Sequence, residues 1–212
     1  MTFTHIPFSF PDIQEAHEDN RHFYLYEGEK FPSITTILHS RPNPGIDYWK
    51  SKTPNWREIQ EESFQVGTQF HKKIEDYLNN KEMTYDDSLV SKLFENSLGE
   101  LEGINNIRCL EKSLVNPTLK IAGKTDCIAE FDDVPSIIDF KNSRKNKNKY
   151  MEKSGYFEQV TAYSTMWEHM TGEKIDQGVI IIADWEGGIN THMVDINKYK
   201  QRLYDIIREY YD

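Results

Sequence analysis

Residues 119–141 read LKIAGKTDCIAEFDDVPSIIDFK. Apolar residues dominate both ends at the period of a strand, and Asp132-Asp133-Val134-Pro135 separates them with turn chemistry. The stretch predicts strands over 119–131 and 136–141. A third strand, 107–115, precedes them across Asn116-Pro117-Thr118, so the three form an antiparallel meander. Helical periodicity flanks the meander on both sides. Phe70, Ile74, Tyr77 and Leu78 define a buried face over 58–78, and Leu89, Leu93, Leu98 and Leu101 define one over 88–101. Beyond the meander, a helix over 152–170 stops at Thr171-Gly172. Two strands, 178–184 and 189–195, then surround Gly187-Gly188, and an amphipathic helix runs from Asn197 to Tyr211. Helices, three strands, helix, two strands and helix predict an α/β fold with one mixed sheet between helices.

The first residues read differently. They are rich in Pro and aromatics and predict an irregular lobe, with a hairpin from His22 that turns at Glu27-Gly28-Glu29 and a short helix after Ser33. The expected organisation is a lobe over 1–57 packed on a core over 58–212, in one compact unit.

Composition narrows the function. The 212 residues carry 25 Lys plus Arg against 35 Asp plus Glu, a formal charge of -10, which argues against wholesale coating of duplex DNA. A local basic path is still open, because Lys141, Arg144, Lys145, Lys147, Lys149 and Lys153 crowd one short stretch. The longest apolar runs, such as Val179-Ile180-Ile181-Ile182-Ala183, fall short of the roughly 20 residues of a membrane span, so no membrane partner is expected. The first residues lack the basic and apolar regions of a secretory signal, and a cytoplasmic location is expected. Two cysteines, Cys109 and Cys127, are too few for a disulfide framework or a four-cysteine metal cluster.

Strand alternation puts Asp139 and Lys141 on one face of the third strand, with Ile138 and Phe140 on the other. Such a pair is either a plain ion pair or part of a site. Antiparallel pairing brings Asp126 towards Asp139, and two acids on adjacent strands can share Mg²⁺. Glu111 on the first strand joins them if its register allows. On the helix over 58–78, Gly67 and His71 are one turn apart. His71 is either structural or a ligand that favours Mn²⁺ beside Mg²⁺, and Glu75 either orients it or faces solvent. Gln159 and Tyr163, at i and i+4, project together from the helix after the basic run and are suited to a phosphate or a stacked base.

The ordered set Gly67-x-x-x-His71, Gly123-x-x-Asp126, Asp139-x-Lys141 and Gln159-x-x-x-Tyr163 resembles the RecB-like branch of the PD-(D/E)xK nuclease superfamily. Pro32-Ser33-Ile34-Thr35, Trp49-Lys50 and the Asp139-Phe140-Lys141-Asn142-Ser143 stretch most resemble its mitochondrial and phage exonuclease members. The resemblance implies an αβββαβ core in which His71, Asp126, Asp139 and the Phe140 carbonyl hold Mg²⁺ or Mn²⁺. It further implies that Lys141 places the attacking water and stabilises charge on the scissile phosphate, with Asp139, Asp126 and Gln159 also catalytic. The cysteines of the iron-sulfur members are missing, so no cluster is expected. Where relatives often carry Thr or Ser after the lysine, this chain has Asn142-Ser143.

The expected activity is exonucleolytic hydrolysis of single-stranded DNA in phage or bacterial replication, recombination or repair. A recombinase or single-strand-binding protein is an eligible partner. Tyr163, Ser143, Arg144, Lys145, Lys147 and Lys149 would touch the strand, and Tyr48, Trp49 and Trp56 would stack bases at the entry. The alternatives are a structure-specific endonuclease with the same residues and a catalytically silent nucleic-acid-binding module.

Overall fold

The computed structural model describes residues 2–18, 21–146, 151–152 and 154–212, without the side chain of Arg21. The meander consists of β4 (Ile104–Asn116), β5 (Ile121–Phe131) and β6 (Val134–Ser143). It is preceded by α3 (Trp56–Leu78) and α4 (Leu89–Leu101) and followed by α5 (Tyr156–Thr171), β7 (Gln177–Asp184), β8 (Ile189–Asp195) and α6 (Lys200–Tyr211). The five strands form one sheet in sequence order, antiparallel throughout except where β7 lies parallel to β6. A parallel neighbour needs a crossover, and α5 supplies it. The expected α/β architecture is therefore the observed one.

Two apolar layers sandwich the sheet. Ile137 and Ile180 pack with Val160, Tyr163, Met166, Trp167 and Leu203 of α5 and α6 on one face. Ile138, Phe140, Val179 and Ile181 pack with Phe70, Ile74, Leu93 and Phe94 of α3 and α4 on the other. The alternation along β6 is thus as expected, with Asp139 and Lys141 on the α5 side. Cys109 and Cys127 are buried free thiols. Local chemistry sets the helix ends. Ser88 accepts from the Ser91 amide to cap α4. Gly155, at φ +81°, delays α5 to Tyr156, four residues later than periodicity suggests, and Gly172, at φ +76°, ends it.

The N-terminal region is more regular than expected. In addition to the expected hairpin of β2 (Arg21–Tyr26) and β3 (Glu29–Pro32) and the expected short helix after Ser33, α1 (Ile34–His39), it has a third strand, β1 (Gln14–Glu18), and a second helix, α2 (Pro44–Lys52). The strand QEAHE is mostly exposed and carries no apolar alternation, and α2 buries no residue, so neither leaves a periodic signal. Tyr24 and Phe31 of the small sheet pack on Val115 and Ala122, and Ile34 and Ile37 of α1 enter the α5-side layer. Among the described residues, no helix is long and apolar enough to cross a membrane.

Candidate active site

The site begins where two strands part. Pairing of β5 with β6 runs from Phe131↔Val134 to Cys127↔Ile138 and stops, while β5 continues along β4 and β6 continues along β7 to Ser143. The result is a fork, with Asp126 and Asp139 at its vertex. Beyond it, the Phe140 amide would face no strand, and Asp126 Oδ2 accepts its hydrogen bond at 2.8 Å. In an extended strand the amide and carbonyl of one residue point to the same edge, so the Phe140 carbonyl also faces the fork.

The bend that opens the fork is visible in the packing. Cys109 and Leu114 of β4 lie an odd number of residues apart yet share the α5-side layer, as do Ile121 and Ile128 of β5. Both strands therefore switch faces in between. Glu111, in that interval, has φ +50°, a left-handed conformation that is costly for a residue with a Cβ. The switch carries Glu111 to the site. His71 Nδ1 lies 3.7 Å from Glu111 Oε1 and 3.6 Å from Asp126 Oδ1. These ligand atoms all fall within 4.8 Å of one another, and the group is the only such cluster among the described residues.

One imidazole and two carboxylates suit Mn²⁺ and, with water and phosphate, Mg²⁺. The His71 contacts, at 3.6 and 3.7 Å, are wider than the ~3 Å ligand edge implied by bonds of about 2.1 Å, so the three side chains would have to draw together around an ion. The donor set thus fits a divalent cation. Asp139 is at the vertex but engaged with Lys141, whose Nζ lies 2.8 Å from Oδ1 and 2.6 Å from Oδ2. Glu75, weighed as a partner of His71, instead pairs with Lys72 at 2.9 Å.

Burial and charge set the protonation states. Burial lifts the Asp139 carboxyl, and Asp126 adds to the rise against the opposing pull of Lys141. Burial alone would lower Lys141, but Asp139 and Asp126 outweigh it and hold the ammonium charged. Burial likewise opposes charge on His71, yet Asp126 and Glu111 raise it overall. Burial, reinforced by Asp139 and Asp126, keeps the Tyr163 phenol protonated, and Gln159 Nε2 donates to its oxygen at 3.0 Å. Tyr163 and Gln159 are therefore buried and ordered beside the acids.

Two glycines allow these approaches. A Cβ on Gly123 would stand 2.8 Å from the Tyr163 ring and 3.1 Å from Ile34, and one on Gly67 would stand 2.9 Å from Asn142 Nδ2. The residues after Lys141 are structural in their contacts. Asn142 Oδ1 accepts from Trp185 Nε1 at 3.1 Å, and the Ser143 hydroxyl donates to the Lys145 carbonyl at 2.8 Å. Arg144 stacks on Trp185 at 4.2 Å and pairs with Glu62, which ties α3 to the end of β6. Lys145 is exposed, and Lys147, Lys149 and Lys153 lie outside the described residues. Trp185 gave no sequence signal, because its role depends on β7 reaching the same end of the sheet as Asn142.

A fork in a mixed sheet, with acids at its vertex and a lysine two residues beyond on the central strand, is the arrangement that the resemblance to PD-(D/E)xK nucleases implies. Sequence similarity points the same way. The chain is 26% identical over 180 residues to human mitochondrial genome maintenance exonuclease 1 and 27% identical over 184 residues to the mouse protein, each match covering 77% of this chain. It spans about half the length of these curated relatives, 52% and 53%. A crystal structure of a candidate exonuclease from Eubacterium rectale aligns with a TM-score of 0.45 at 12% identity, over 68% of this chain and 63% of the other. No protein-family model matches the chain.

Proposed function

We propose that this chain is a divalent-cation-dependent deoxyribonuclease of the RecB-like type that degrades single-stranded DNA from an end, in phage or bacterial replication, recombination or repair. The observation that carries the reading is the convergence at one fork of His71, Glu111 and Asp126 with the Asp139–Lys141 pair. His71, Glu111, Asp126 and the Phe140 carbonyl would hold Mg²⁺ or Mn²⁺, with Asp139 alongside. That cation would polarise a phosphate oxygen and ease loss of a proton from the attacking water. Lys141, held by Asp139, places the water and sets a fixed positive charge where negative charge develops on the phosphate. Tyr163, oriented by Gln159, keeps a proton to donate to a phosphate oxygen.

An outer path supports the choice of a single strand. Tyr48, Trp49 and Phe64 are 66%, 39% and 71% exposed on α2 and the first half of α3. Exposed rings can stack bases without reading sequence. Trp56 is already flanked by Lys50 and Arg57, at 4.6 and 4.8 Å, so it braces the path. With a net charge of -10, a duplex has little to gain from the rest of the surface.

The test uses end-labelled linear strands, closed single-stranded circles and blunt duplex, each with Mg²⁺, Mn²⁺ or EDTA. Linear strands should be shortened from an end with either metal and left intact in EDTA. Circles cut as fast as linear strands would replace the reading with an endonuclease, and binding without cleavage in either metal would replace it with a silent module.

A further inference from the structure

Among the residues around the fork, Lys124 has no part in the chemistry so far. It lies two residues before Asp126 on β5, and its side chain is 40% exposed. Its Nζ is 3.4 Å from Glu111 Oε2 and 3.7 Å from Glu15 Oε1. Glu111 thus turns one oxygen to His71 and the other to Lys124. Glu15 belongs to β1 of the small N-terminal sheet, where it lies 3.5 Å from Ser113 Oγ and 3.4 Å from His22 Nε2. A line of charges therefore runs from the small sheet to the candidate metal ligands.

We infer that Lys124 is a built-in cation that competes with the metal for Glu111, and that Glu15 sets how strongly it competes. The inference rests on the reading of His71, Glu111 and Asp126 as metal ligands. Without a metal, an ammonium beside Glu111 relieves the repulsion among acids crowded at the vertex. With one, the same ammonium withdraws negative charge from a ligand and repels the ion. Glu15 shares Lys124 and holds it part-way from Glu111. Loss of the Glu15 charge would release Lys124 wholly to Glu111, so the small sheet becomes a regulator of metal affinity. Lys124 and Glu15 are positioning residues in this account, since neither touches the reacting atoms.

Calorimetric titration of the full chain with Mn²⁺ alone, at low salt and without DNA, tests this. Lys124→Met should bind Mn²⁺ about fivefold more tightly than the parent, the size of one screened charge interaction. Lys124→Arg should stay within about twofold, and Glu15→Gln should bind several-fold more weakly. In the double variant, the Glu15 effect should fall below about twofold, because its route is gone. The Lys124→Met gain should shrink as salt is raised. Circular dichroism checks that each variant is folded, and Lys124→Gln replaces Lys124→Met if the latter is not. A parent that binds no Mn²⁺ would sink the metal reading itself. A parent that binds, with Lys124→Met unchanged or weakened, would sink the competition and leave the metal reading in place.

Discussion

The two halves of α3 do opposite things. The inner half buries Phe70, Ile74 and Leu78, worth about 1.5–3 kcal/mol each, and so holds His71 against the fork. The outer half, up to Gln69, has no fully buried residue, although Val66 packs partly on the layer, and α2 has none either. One helix therefore carries a firmly packed candidate ligand towards one end and an exposed, ring-bearing surface towards the other. Under the proposed function, the difference predicts that chemistry and strand handling are separable. Substitutions at the fork should alter turnover, and those on the outer helices should alter binding.

The largest effect should come at the fork. Lys141→Ala should lower single-turnover cleavage by about 10³-fold or more while leaving single-strand affinity within a few-fold, because affinity is spread over many contacts. Cleavage within about tenfold of the parent would remove Lys141 from the mechanism. Next in size, Asp126→Ala should abolish activity beyond rescue, since it loses both a proposed ligand and the acceptor for the Phe140 amide. His71→Ala should recover in part at high Mn²⁺ through the remaining carboxylates. Equal behaviour of the two variants across a Mn²⁺ series would erase the distinction.

On the outer helices, replacing Tyr48, Trp49 and Phe64 by Ala together should weaken single-strand binding by about 1–3 kcal/mol per stacked base. The melting temperature should not move, because these rings are exposed. A drop of several degrees would mean that the outer half is packed after all. Gly123→Ala offers the converse. Its Cβ would press on the buried Tyr163 ring, so stability should fall by about 1–3 kcal/mol in urea titration and activity should fall with it.

The smallest effect concerns the stacked pair His17 and His22, whose rings lie 4.5 Å apart. Burial, then His17, lowers the His22 pKa below 6.5 against the opposing pull of Glu15. The folded state thus holds fewer protons there than the unfolded chain. Its contribution is present above about pH 6.5 and is lost as pH falls through the folded value. A urea series from pH 7 to 5 should show a shallower loss in His22→Asn than in the parent, by under about 1 kcal/mol.

Much of the molecule was legible from local patterns. The meander over 107–141, both flanking helical faces, the stop at Gly172 and the pairing of Asp139 with Lys141 follow from strand alternation, helical period and turn chemistry, which act over a few neighbours. The N-terminal strand β1 and helix α2 were not legible, because elements that bury almost nothing leave no apolar period. The membership of the site was decided in three dimensions. Glu111 enters only because β4 switches faces at a left-handed residue, and no strand pattern announces that. Asp139 turns to Lys141, and Arg144 turns to Glu62 and Trp185, because distant elements place those partners within reach. Periodicity names the face on which a side chain lies. Which carboxylates then meet one imidazole depends on where two strands part, and that is set by the packing of helices on both sides of the sheet.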